Sequence, residues 1–202
     1  MKVVLPTGRE LFRVPEFVVE PGERVLIEGS SGRGKTTFLH LLAGLFLPTE
    51  GVVEIGDQRT SQMSDNERCD LRRKSFGIVF QKLNLIEHLT ALENVEIAQP
   101  VKSQSEALAA LRAVKLEDRA GDLAATLSLG EQQRVAVARV LAVRPAIILA
   151  DEPTSSLDDE NAEFVMKSLF EAAKGKSLVV VSHDHRVKKL FNRAQHFADW
   201  CK

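Results

Sequence analysis

Short continuous apolar runs recur along the chain, separated by stretches with helical spacing. Phe76–Phe80, Ala146–Ala150 and Ser177–Ser182 are such runs, the pattern of strands buried on both faces. Phe17–Val19 and Arg24–Glu28 also read as strands, parted by a Pro21-Gly22 turn, and Gly51–Ile55 as another. Helical spacing marks Thr37–Leu45, closed off by Pro48, and Ser61–Arg73, where Ser64 and Glu67 have the spacing of a capping box. It returns over Leu89–Ala98, Ser105–Val114, Ser128–Val143 and Asn161–Ala173, and Pro145 ends the third of these. The tail, His185–Lys202, starts as a helix. Strands alternating with helices predict an α/β fold with a mostly parallel central sheet and a small N-terminal antiparallel β part. Residues 82–143 are mainly helical and read as an inserted subdomain within one domain, 1–202, whose remainder is 1–81 and 144–202.

Composition narrows the class. The chain has 202 residues, 44% of them hydrophobic and 27% charged, as in globular domains. A net charge of −1 gives a nucleic-acid partner no support, and none is expected. The only cysteines, Cys69 and Cys201, lie far apart and suit a reducing compartment. No apolar run approaches the roughly 20 residues of a membrane span. The start, MKVVLPTGRE, lacks a secretory apolar stretch. A membrane process would therefore place its membrane part on another chain.

Two motifs carry chemistry. Gly29-Ser30-Ser31-Gly32-Arg33-Gly34-Lys35-Thr36-Thr37 follows a strand and opens a helix, which is the phosphate-loop pattern in its required context. Glycines let backbone N–H groups curl around phosphate oxygens, and the helix N-terminus adds a favourable dipole. Lys35 can reach the β- and γ-phosphates, and the Thr36 hydroxyl can hold Mg²⁺. The bland alternative is an ordinary Gly/Ser turn, which pattern and context together disfavour. The second motif is an apolar strand ending in Asp151-Glu152. Strand carboxyl ends are where α/β sheets place ligands. Asp151 there would hold Mg²⁺ and Glu152 would act as general base on water. Alone, the pair reads equally well as a solvated acidic loop. With the phosphate loop it predicts a P-loop NTPase core, in which kinases and GTPases would also fit.

Leu127-Ser128-Leu129-Gly130-Glu131-Gln132-Gln133-Arg134 separates these options. It resembles the LSGGQ signature of ABC ATPases, with Leu129 where glycine is usual and Glu131 where glutamine is usual. Other family landmarks follow in order. Gln81 matches the Q-loop glutamine, which senses Mg²⁺. Ser155-Ser156-Leu157-Asp158 resembles the D-loop that crosses the dimer interface, and His183 matches the switch histidine at the γ-phosphate. The resemblance covers about Phe17 to Asp184. It implies an ATPase using ATP and Mg²⁺, with Glu152, His183, Gln81 and Lys35 catalytic and Thr36, Gln81 and Asp151 around the metal. It implies nucleotide contacts along Gly29–Thr37 of one copy and Ser128, Gly130, Glu131 and Asp158 of another. It further implies an ATP-sandwich homodimer on the cytoplasmic face of a membrane, driving a separate integral membrane permease. A non-transport ABC ATPase and a regulatory cassette with little turnover are the alternatives.

Two details refine the resemblance. The family usually stacks adenine on an aromatic residue upstream of the phosphate loop. Here family spacing lands near Leu5–Pro6, the chain has no Tyr, and Phe12 is the nearest aromatic residue. Base selectivity is therefore expected to be loose, with GTP competing. The stretch Phe80–Val95, FQKLNLIEHLTALENV, resembles the bacterial lipoprotein-release, macrolide-efflux and cell-division subgroup. In it, Leu83–Leu92 is the candidate permease-docking surface, or else subdomain core.

Overall fold

The computed structural model describes residues 1–155 and 157–201. In chain order the elements are β1 (Lys2–Val4), β2 (Glu10–Arg13), β3 (Arg24–Glu28), α1 (Lys35–Leu42), β4 (Glu54–Ile55), β5 (Gln58–Arg59), α2 (Asp65–Ser75) and β6 (Phe76–Val79). There follow α3 (Ala91–Glu96), α4 (Gln104–Ala113), α5 (Leu129–Val143), β7 (Ile147–Asp151), α6 (Asp159–Ala172), β8 (Ser177–Ser182), α7 (His185–Lys188) and β9 (Arg193–His196). The central sheet has the order β6-β7-β8-β3-β9, and each of its pairings is parallel.

Its strands are apolar on both faces because helices cover both. Val25, Ile27, Leu149, Val179 and Val181 face one core cluster, with Phe38 of α1 and with Phe12, Phe197 and Trp200. Leu26, Ile148, Ala150, Leu178 and Val180 face the other, with α4, α5 and α6. Gly77 lets β6 lie close under α5. A Cβ there would come within 2.7 Å of Val140 Cγ1 and Pro145 Cγ, nearer than van der Waals contact allows.

The antiparallel part differs from the expected one. β1 and β2 form one hairpin, and β4 and β5 a second. Phe17–Val19 is not a strand. The Phe17 ring instead sits edge-on to Phe38 and Trp200, 5.3 and 5.6 Å between centroids, so aromatic packing rather than a ladder fixes this segment. The tail also departs from expectation, since its helix ends at Lys188 and β9 joins the sheet edge beside β3.

Helix starts follow the capping chemistry. Ser64, Thr90 and Ser128 each form a full capping box with Glu67, Glu93 and Glu131. Helices α3, α4 and α5 pack on one another, and α5 also rests on β6 and α6. No helix among the described residues is long and apolar enough to cross a membrane.

Candidate functional site

Four neighbouring parallel strands end at one edge, and each delivers a predicted residue there. β3 leads into Gly29–Thr37, β6 into Gln81, β7 into Asp151-Glu152 and β8 into His183. This is where an open parallel sheet binds ligands. A cleft of about 290 Å³ forms there, lined by Ser31, Gly32, Lys35, Thr36, Gln81, Asp151 and Glu152 among others.

The phosphate loop depends on its glycines. Gly32 and Gly34 have φ of 76° and 105°, which residues with a Cβ rarely adopt. Gly34 sits at the N-cap of α1 without a side-chain cap, leaving the first N–H groups of the helix for a ligand. Leu11 lies against Gly34 and helps line the cleft.

Buried charge concentrates next to it. Lys35 is 5% exposed, and its Nζ donates to the Ser30 carbonyl at 3.1 Å and lies 3.4 Å from Glu152 Oε1. Glu152 Oε2 accepts from Ser182 Oγ at 3.1 Å and from the His183 N–H at 3.2 Å. Its Oε1 lies 2.8 Å from His183 Nδ1. Glu152 also has φ of 48°, a left-handed conformation that costs a residue with a side chain about 1–3 kcal/mol and that concentrates at functional sites. The bonds on both carboxylate oxygens hold it there.

Asp151 has the features of a cation ligand. It is 1% exposed, and its Oδ1 has no hydrogen-bond partner. Burial pushes its carboxyl above the usual range, opposed mainly by a hydrogen bond with Thr36. A buried, unsatisfied carboxylate oxygen beside a hydroxyl fits hard-cation coordination, so the residues present suit Mg²⁺.

Ser128, Gly130, Glu131 and Asp158 are not among the residues lining this cleft. Ser128 caps α5, with its Oγ donating to Glu131 Oε2 at 2.8 Å. That bond and one from the Ser128 N–H hold the Glu131 carboxyl below its usual range. Asp158 caps α6. Ser156 lies outside the described residues. Leu83, Leu85 and Leu92 are partly buried against the core rather than fully exposed, whereas Leu129 is 50% exposed. Phe12 is fully buried, edge-on to Phe38 and Phe197.

Sequence reasoning missed several residues around Glu152. Ser182 and Thr154 are buried, and Thr154 Oγ1 donates to Asp184 Oδ2 at 2.8 Å. Position directly before and after His183 was the available signal for Ser182 and Asp184. It also missed His40, whose ring lies between Phe46 and Phe80 and whose imidazole burial pushes down.

With this geometry in place, comparison with known proteins is decisive. Residues 12–155 match the family described as ABC transporter. The chain belongs to that family. The uncharacterized ABC transporter ATP-binding protein MJ1508 of Methanocaldococcus jannaschii is 45% identical over 180 residues, 85% of this chain and 80% of that protein. Two solved structures of the cassette MJ0796 superpose with a TM-score of 0.90 and 38% identity, covering 97% of this chain and 91% of theirs. One is a dimeric post-hydrolysis state bound to ADP and Pi, and the other is a dimeric bacterial ABC transporter cassette. The ABC cassette reading and the α/β fold with a mostly parallel sheet therefore hold.

Proposed function

We propose that this ABC cassette is the ATP-hydrolysing subunit of a transporter and that it works as a homodimer. The observation that carries the reading is Glu152, buried at a strand end, bonded to His183 and 3.4 Å from the phosphate-loop lysine.

ATP lies along Gly29–Thr37, where backbone N–H groups and Lys35 hold its phosphates. Thr36, Asp151 and Gln81 hold Mg²⁺, which when bound offsets charge on the β- and γ-phosphate oxygens. Glu152 accepts a proton as water attacks the γ-phosphorus and the bridge to the β-phosphate breaks. His183 orients Glu152 and contacts the γ-phosphate. Ser128, Gly130 and Glu131 of a second copy cover that phosphate, with Asp158 at the seam. ATP favours the closed dimer through contacts that only the closed state makes. The dimeric MJ0796 structures support this arrangement.

Residues 82–143 act as a helical subdomain. A groove between the Gln81–Glu87 segment and the start of α5, lined in part by Leu83, Leu85 and Leu129, receives an integral membrane permease. The protein thus works at the cytoplasmic face of the membrane, in the lipoprotein-release, macrolide-efflux and cell-division subgroup.

Steady-state ATP hydrolysis, with gel filtration in ATP and Mg²⁺, tests the proposal. Wild type is expected to turn over, and Glu152→Gln to lose at least about 100-fold in kcat and to elute as an ATP-bound dimer. Equal turnover in the two proteins would overturn the base assignment, and a wild type that binds but does not hydrolyse ATP would overturn the ATPase reading.

A further inference from the structure

Arg186 has no role in the reading above, yet its guanidinium bonds to three residues, Asp184, Leu157 and Asp159. It lies on α7, three residues past His183. Its Nη1 and Nη2 donate to the Leu157 carbonyl at 3.4 and 3.3 Å, and Nη1 also reaches Asp159 Oδ1 at 2.5 Å. Its Nε donates to both Asp184 oxygens at 3.0 Å, and Nη2 to Asp184 Oδ2 at 2.8 Å. The guanidinium thus joins the segment after Glu152 to the segment after His183.

The bonds continue inward. The Asp184 N–H donates to Ser182 Oγ at 3.0 Å, and Ser182 Oγ donates to Glu152 Oε2 at 3.1 Å. Asp184 Oδ2 also accepts from buried Thr154, two residues beyond Glu152. An unbroken hydrogen-bonded chain therefore runs from the Leu157 carbonyl, through Arg186, Asp184 and Ser182, to the carboxylate of Glu152. Half-exposed ion pairs contribute about 0–1 kcal/mol to stability. Stability is thus a weak reason for so elaborate a fork, whereas fixing two loops relative to each other requires the planar geometry that arginine has.

We propose that Arg186 is a positioning residue for hydrolysis: it ties the Leu157–Asp159 segment to Glu152, so that the placement of that segment at the dimer seam sets the orientation of the general base. The proposal rests on the ATPase reading and adds a route by which the second copy influences the first. In the closed dimer, contact at Leu157–Asp159 moves or holds the guanidinium, and the bonded chain passes that constraint to Glu152. Coupling of this kind shows as a measurable interaction energy between substitutions along the route.

The test is a double-mutant cycle on kcat with Arg186→Ala, Ser182→Ala and the double variant, beside wild type and Glu152→Gln. Each protein is also titrated with a fluorescent ATP analogue to count competent sites. Arg186→Ala is expected to lower kcat roughly 5–20-fold while KM and binding stoichiometry stay within about twofold. The double variant is expected to be no slower than the slower single variant, since both break one chain. Multiplicative losses, or wild-type kcat in Arg186→Ala, would overturn the proposal. A fall in kcat matched by a fall in binding stoichiometry would do so too, because it marks a folding role. If Glu152→Gln is slow while Arg186→Ala is not, this inference alone fails. If wild type itself does not hydrolyse ATP, the ATPase reading fails first, and if Glu152→Gln equals an active wild type, the assignment of Glu152 as the base does.

Discussion

Two aspartates near the cleft are driven in opposite directions by their surroundings. Asp151 is buried with one oxygen unpartnered, and burial raises its carboxyl. A charge held this way costs the fold stability. Asp151→Asn is therefore expected to raise the melting temperature of the nucleotide-free protein while abolishing the stabilisation that Mg²⁺ adds in the presence of ATP. Thermal denaturation with and without Mg²⁺·ATP measures both. Asp184 is the reverse case. The Arg186 guanidinium bonded to it lowers its carboxyl to about 2. Because the folded value lies below the unfolded one of about 3.9, the pair's stabilisation is complete above that pH and is lost as pH falls towards 2. Asp184→Asn should flatten this acid limb in melting temperature against pH, and leave the neutral region less stable than wild type.

Among the elements, serine caps separate architecture from chemistry. Ser64 and Ser128 form the same capping box, so replacing either with Ala should cost about 1 kcal/mol. Only Ser128→Ala should also raise the KM for ATP, because only α5 carries the proposed contact to a second copy. Denaturant melts and initial rates on both variants check this. The Ser64 box was legible beforehand because a serine three residues before a glutamate is a local signal. The apolar strands β3, β6, β7 and β8 were legible for a similar reason, since burial on both faces leaves an uninterrupted apolar run. β9 was not. Its Arg-Ala-Gln-His sequence has no apolar pattern, and it is a strand only because β3 offers it an edge. β1 and β2 had a usable signal in Pro6-Thr7-Gly8 between two apolar runs, matched by the turn now seen at Gly8 with φ of 82°. Most residues of the cleft were legible because they lie at or just past a strand end, whereas Leu11, inside β2, was not. The chain through Ser182, Asp184 and Arg186 was not, since it depends on distances between side chains that spacing does not encode.

For the whole molecule, the aromatic residues near the phosphate loop are committed to packing. Phe12 and Phe17 both lie against the cluster of Phe38, Phe197 and Trp200, and Leu11 borders the loop instead. Phe12 is fully buried and Phe17 does not line the cleft, so the triphosphate is expected to supply most of the recognition. GTP is expected to compete with ATP, with KM values within about fivefold of each other, since base–aromatic stacking of about 1–3 kcal/mol is missing. Competition assays with labelled ATP read this directly.

The 3.4 Å approach of Lys35 to Glu152 ties the two motifs to each other. Both residues are 5% exposed, so the cation and the carboxylate offset each other where water scarcely reaches. Removing either one alone would strand the other, at a cost well beyond that of a surface ion pair. The phosphate loop and the strand end after Ala150 are therefore not independent parts: neither position can lose its charge without consequence for the other.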